Sequence, residues 1–229
     1  MSLVFRQLFE SESSTYTYIL ADSVTKEAII IDPVKETLER DMSLLEEMHL
    51  KLKYILETHV HADHITSAGT LKEKTKAKIV LGVGTGLETA DVLLEDNETL
   101  SFGSHKIKAI RTPGHTNGCT SYYIDGYVFT GDALLIRGCG RTDFQEGSAE
   151  TLYKSVKGRL FLLPKDTLVY PGHDYQGRTC SSIAEEMQSN PRLRISVSEG
   201  DFIEIMNNLK LEKPKKIDVA VPANLKHGL

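Results

Sequence analysis

Thr58-His59-Val60-His61-Ala62-Asp63-His64 places three imidazoles and a carboxylate within seven consecutive residues, directly after the strand-like run Leu52-Lys53-Tyr54-Ile55-Leu56-Glu57. Imidazole nitrogen and carboxylate oxygen are the donors that borderline divalent cations such as zinc and iron prefer. Crowding unpaired His and Asp together without a cation costs desolvation and contributes nothing to a core. One such residue in a surface loop is ordinary, but four in a row of seven point to a metal.

The same arrangement recurs further along the chain. Ile107-Lys108-Ala109-Ile110 leads into Thr112-Pro113-Gly114-His115, Tyr127-Val128-Phe129 into Thr130-Gly131-Asp132, and Leu168-Val169-Tyr170 into Pro171-Gly172-His173-Asp174. Each β-branched or aromatic run stops at a Gly- or Thr-containing turn that carries His or Asp, and loops at strand ends are where rigid scaffolds display chemistry. His115 or His173 alone reads as a turn residue. If the four strand ends lie on one edge of a pair of sheets, the segments converge on a single cleft and form a metal site.

Around these strands the pattern alternates. Tyr16 to Leu20 and Glu27 to Asp32 read as strands about a polar turn, and Glu36 to His49 as an amphipathic helix with Leu38, Met42, Leu45 and Met48 on one face. Ile65 to Lys76 reads as a helix that Asp63 is placed to cap. Lys78 to Leu81, Lys106 to Ile110 and Thr167 to Tyr170 read as strands, and Thr120 to Ile124 and Tyr127 to Thr130 flank the hairpin signal Asp125-Gly126. Ala149 to Leu160 and Phe202 to Leu209 read as helices, followed by a solvated turn, Leu211 to Lys216, in which Pro214 ends the preceding helix. Gly82-Val83-Gly84-Thr85-Gly86 lacks the Lys-Ser/Thr ending of a phosphate loop and reads as a flexible connection.

Composition narrows the class. A chain of 229 residues, 40% hydrophobic and 26% charged, is an ordinary globular sequence. A formal charge of −5 without any Lys/Arg run argues against a nucleic-acid surface. No apolar stretch approaches a membrane span, and the opening Met1-Ser2-Leu3-Val4-Phe5-Arg6 lacks a signal-peptide pattern. Cys119, Cys139 and Cys180 are odd in number and widely spaced, so they read as small, semi-buried thiols of a reducing compartment. The two nearest the site, Cys119 and Cys139, are the candidates for oxidation.

The T-H-x-H-x-D-H cluster with His115, Asp132 and His173 resembles the metallo-β-lactamase superfamily over essentially the whole chain. The resemblance implies an α+β fold, a four-layer αββα sandwich of two mixed sheets with outer helices, in a single domain 1–229 with a short C-terminal helical extension. Ile136-Arg137-Gly138-Cys139-Gly140-Arg141-Thr142-Asp143-Phe144-Gln145, Tyr170-Pro171-Gly172-His173-Asp174-Tyr175, Asn190-Pro191-Arg192-Leu193 and Asp218-Val219-Ala220-Val221-Pro222-Ala223-Asn224 resemble its persulfide dioxygenase subgroup. Gly172, where Ala also occurs in that subgroup, is a small departure. Glyoxalase II, the binuclear hydrolase of glutathione thioesters, shares the metal motif but usually carries a longer C-terminal helical portion. A metal-binding module without catalysis is a third reading, opposed by the complete ligand set.

The dioxygenase resemblance implies one Fe(2+) per chain, held by His59, His115 and Asp132 as the facial triad of non-haem iron oxygenases. It also implies glutathione persulfide and O2 as substrates, sulfite and glutathione as products, and a homodimer as a possible assembly. The location it implies is a bacterial cytoplasm, or the mitochondrial matrix if a transit segment has been removed. His61, Asp63, His64 and His173 then orient the ligands by hydrogen bonds, although counting ligands alone leaves a second metal open. Glutathione has two carboxylates, which makes Arg141 and Arg192 its candidate grips and Tyr175 a hydrogen-bond partner for its peptide portion. Taken singly, each Arg reads equally well as a solvated surface charge.

Overall fold

The computed structural model describes residues 2–87 and 89–229; Met1, the start of the segment inspected for a leader, lies outside them. One sheet holds, in spatial order, β1 (Leu3–Glu10), β2 (Thr15–Asp22), β3 (Glu27–Ile31), β4 (Lys51–Leu56), β5 (Lys78–Gly82) and β6 (Val92–Leu94). Its first three strands are antiparallel and β3 to β6 are parallel. Parallel neighbours need a crossover, and α1 (Leu38–Glu47) and α2 (Ala68–Thr75) supply the two that flank β4.

The second sheet comprises β7 (Thr99–Phe102), β8 (His105–Arg111), β9 (Thr120–Ile124), β10 (Tyr127–Gly131), β11 (Leu168–Pro171) and β12 (Ser181–Ser182), stacked in reverse order. Only β10 and β11 are parallel within it, joined through α3 (Ala149–Gly158). Then follow α4 (Ile183–Ser189), α5 (Glu199–Asn207) and α6 (Ile217–Asn224). Among the described residues no helix is long and apolar enough to cross a membrane.

Burial follows the two-residue period of a strand covered on both faces. Ile29 and Ile31 enter the layer between the sheets with Tyr18, Leu56, Tyr122 and Phe129, whereas Ala28 and Ile30 pack outward with Leu45 and Leu71 of the helices. On the far side Val128 and Val169 meet Leu152, Val156 and Phe202. These are the four αββα layers that the sequence resemblance implies, with three buried clusters separating them.

Several elements differ from the sequence reading. The helix expected from Ile65 begins at Ala68, because Thr66 pairs with Val34 as an isolated bridge and Ser67 N–H donates to the Pro33 carbonyl. Its N-cap is Ser67, so Asp63 does not cap it. The α5 helix starts at Glu199, three residues early, because Ser198 and Asp201 form a capping box. It ends at Asn207, well before Pro214, whose carbonyl instead accepts Ile217 N–H at the entrance to α6. Helix α3 stops at Gly158 and tightens into a 3₁₀ turn, Leu160–Leu162.

Candidate metal centre

The segments after β4, β8, β10 and β11 meet at one edge, stitched together by backbone. Thr120 N–H donates to the Thr58 carbonyl at 2.8 Å, Gly172 N–H to that of Gly131 at 2.9 Å, and Tyr16 N–H to that of Gly172 at 2.8 Å. There His59, His115 and Asp132 each place a donor atom within 4.8 Å of the others. His115 Nε2 lies 3.5 Å from Asp132 Oδ2, and the His59 ring stands edge-on to that of His115 with centroids 4.9 Å apart.

Both rings are oriented from behind. Thr58 Oγ1 lies 2.9 Å from His59 Nδ1, and the Arg141 carbonyl accepts from His115 Nδ1 at 2.7 Å, which leaves Nε2 of each ring for the centre. Burial, reinforced by His61 and His115 nearby, drives the His59 pKa well down. The neutral ring is the form that ligates a metal. Asp132 Oδ1 is buried without a hydrogen-bond partner, 3.6 Å from His173 Nε2. An orphaned carboxylate oxygen beside imidazoles is costly on its own and fits a divalent cation. Gly172 makes the room: a Cβ there would stand 2.8 Å from that oxygen.

Asp63 heads a neighbouring group. Its Oδ2 lies 2.9 Å from His64 Nδ1, 3.6 Å from His173 Nε2 and 3.3 Å from Thr15 Oγ1. Burial opposes its charge, but His173 and His64 hold its carboxyl well below the usual range. His61 faces inward. Its Nε2 sits 3.2 Å from Asp32 Oδ1 and 3.3 Å from Glu57 Oε2, all three residues being buried. Burial favours a neutral ring there, yet the two carboxylates outweigh it and raise the His61 pKa well above normal. Asp32 is itself fixed by Thr58 N–H at 2.7 Å and Thr58 Oγ1 at 2.8 Å.

Asp32, Glu57 and Thr15 escaped the sequence reading. Asp32 was detectable, since it ends the strand-like run of β3 as the other site residues end theirs; Glu57 and Thr15 carry no comparable signal.

The expected glutathione grips are not equivalent. Arg141 is occupied: Nε and Nη2 donate to Asp143 at 2.7 and 2.8 Å, Nη1 donates to the Glu212 carbonyl, and the guanidinium lies over Phe144. Arg192 has no carboxylate partner among the described residues, and its Nη1 donates to the Cys139 carbonyl at 3.0 Å. The next residue, Gly140, donates to the Asp132 carbonyl, which ties Arg192 to the metal loop. Tyr175 is exposed and stacks on His173 with ring centroids 5.9 Å apart. A cavity of about 580 Å³ is lined instead by Val60, Leu87, Leu93, Asn117, Gln145 and Glu146, with no cation among the described lining residues, so it does not suit a dicarboxylate.

Cys119 and Cys139 are fully buried, and burial pushes their thiols up to about 12 and about 11. A protonated, enclosed thiol is the less reactive form; Cys180, expected to be semi-buried, is exposed.

Residues 12–173 match the family model of the metallo-beta-lactamase superfamily. The chain belongs to the metallo-β-lactamase superfamily. Within this superfamily it is 48% identical to "Persulfide dioxygenase ETHE1, mitochondrial" of Homo sapiens, over 99% of this chain and 89% of that protein. The crystal structure of ETHE1 from Myxococcus xanthus superposes with a TM-score of 0.96 at 51% identity, covering 99% of this chain and 100% of the other. "Glyoxylase B2" of Dictyostelium discoideum is more distant, 33% identical over 96% of this chain and 89% of its own length.

Proposed function

We propose that this metallo-β-lactamase superfamily chain is an iron-dependent persulfide dioxygenase that converts glutathione persulfide, O2 and water to glutathione and sulfite. The reading is carried by similarity over 99% of the chain to a protein named persulfide dioxygenase ETHE1, at 48% identity, and to a structure named ETHE1, at 51%. His59, His115 and Asp132 make a two-His, one-carboxylate face, while His61 gathers both with Asp63 and His64 and with Asp32 and Glu57; one iron per chain rests on the similarity to persulfide dioxygenases.

Bound Fe(II) supplies redox chemistry toward O2 that zinc lacks. The side chains supply the rest. Arg192 takes a carboxylate of the glutathione moiety in bidentate fashion, and Tyr175 hydrogen-bonds the peptide portion beside His173. Arg141, already gripped by Asp143, braces the loop whose carbonyl orients His115. Asp63, His64 and His173 hold the polar rim of the centre and its charge balance. Atoms balance: the S–S bond breaks, the terminal sulfur of the persulfide leaves as H2SO3 with two oxygens from O2 and one from water, and the glutathionyl sulfur takes up one proton to give the thiol.

The test is O2 uptake with glutathione persulfide by anaerobically prepared, iron-loaded protein. The expected result is rapid uptake with sulfite formed at one iron per chain. No uptake, with turnover of a glutathione thioester and two metals bound, would replace this reading with a hydrolase using Asp63, His64 and His173.

A further inference from the structure

The metal-bearing segment after β4 is irregular, and the opposite end of the chain holds it in shape. Asn224, the last residue of α6, is buried at 4% exposure. Its Nδ2 donates to the His61 carbonyl at 2.8 Å and to the His64 carbonyl at 2.8 Å, and its Oδ1 accepts Thr66 N–H at 2.9 Å. One amide thus satisfies three backbone groups of the six-residue stretch His61–Thr66, which lies outside every helix and strand and is otherwise held at its end, by the isolated bridge of Thr66 to Val34 and the bond from Lys35 N–H to the Ile65 carbonyl. The tail beyond is docked as well: Gly69 N–H donates to the His227 carbonyl at 2.8 Å, an approach that a Cβ on Gly69 would block by meeting Leu229 at 2.5 Å.

We propose that Asn224 is a positioning residue for the metal centre, setting the backbone geometry from which His59, Asp63 and His64 project. The inference rests on the metal-centre reading above. Asn224 touches neither metal nor substrate; it acts through the carbonyls on either side of Asp63. Its amide geometry is specific. Asp at this position would keep an acceptor for Thr66 but turn a carboxylate oxygen toward two carbonyls, and Ala would leave all three groups unsatisfied. By linkage, whatever α6 docking contributes to metal affinity, metal binding must return to α6 docking.

The experiment compares Asn224→Ala, Asn224→Asp and the packing control Val221→Ala on the same helix. It reads iron affinity by chelator competition, the spectrum of the ferrous nitrosyl adduct, and Tm of the apo protein. Both Asn224 variants should lose roughly tenfold in iron affinity with an altered nitrosyl spectrum, as outer-sphere partners of metal sites do. Val221→Ala should lower Tm and leave the affinity unchanged. Wild-type iron affinity and spectrum in a folded Asn224→Asp variant would overturn the proposal.

A second measurement needs no substitution. Iron loading of the unmodified protein should slow amide exchange at Thr66 and at Ala220 and Leu225 of the α6 region together; protection confined to Thr66 would also overturn it. Should the unmodified protein bind zinc and not iron, the dioxygenase reading fails, and the same comparisons made with zinc still decide the role of Asn224.

Discussion

Two clusters of His and carboxylate lie side by side at this sheet edge and are built for opposite ends. Asp32, Glu57 and His61 are almost wholly enclosed, with side-chain exposures of 1% to 5%, and their charges answer one another: an imidazolium between two carboxylates, Asp32 tied to Thr58 and Glu57 to Thr66. His115 and Asp132 reach the surface at 11% and 14% exposure while His59 is buried beside them; burial and the neighbouring imidazoles hold the His59 pKa down, and Asp132 keeps an orphaned carboxylate oxygen. In the first, His61 Nε2 lies within ion-pair distance of two carboxylates although it makes no hydrogen bond to them; in the second, Asp132 Oδ1 has no partner beside neighbouring imidazoles, which fits a cation. Residue type alone does not separate them; charge balance and access do.

The comparison is broken most severely at the open cluster. His115→Ala should abolish iron retention and reduce O2 uptake by about two orders of magnitude or more, since a facial triad has no spare ligand; metal analysis and oximetry check it, and an active, iron-replete variant would remove His115 from the centre. At the closed cluster the effect should move to stability. His61→Ala leaves two buried carboxylates uncompensated and should cost about 3–5 kcal/mol in denaturant unfolding of the apo protein. If it costs little stability but empties the metal site, the two clusters have been assigned the wrong way round.

Asp41 offers an intermediate case, a buried carboxylate with Arg40 on one side at 2.8 Å. Burial outweighs that guanidinium and lifts its pKa to about 6. A folded-state pKa above the unfolded value favours folding below the unfolded value, and that contribution is lost as pH rises through the folded one. Stability should therefore gain about 2–3 kcal/mol from this group between pH 7 and pH 4. Asp41→Asn should flatten that part of the curve of unfolding free energy against pH; an unchanged slope would show that Asp41 ionises freely.

The smallest expected effect lies outside both clusters. Arg192→Ala should raise the persulfide KM roughly tenfold, the worth of one charge-assisted contact, with iron content unchanged. Arg141→Ala should act differently, through the loop that orients His115. Equal KM effects from the two would restore the paired-grip reading.

The strand ends near Leu56, Arg111, Gly131 and Pro171 were legible because a strand has a local period, and Gly or Thr turns after it have local chemistry. Edge strand β1, short β6 and β7, and α6 with its internal Pro222 were not read, since each is stable only against neighbours brought in by the fold. The same limit applies to capping: Asp63 looks like a helix cap by spacing and becomes a carboxylate shared by His64 and His173 once β2 and β11 are packed beside it.

The sequence by itself determined the ligand types, their order behind four strands, and the superfamily, because metal donors and strand periods are written in consecutive residues. Only the tertiary structure decided which donors share a centre. It turned His61 inward to Asp32, occupied Arg141 with Asp143, left Arg192 without an acidic partner among the described residues, and brought Asn224 under the metal loop from 160 residues away. The physical reason is that a ligand's identity is chemical and local, whereas its availability depends on burial and on the charges that folding sets around it.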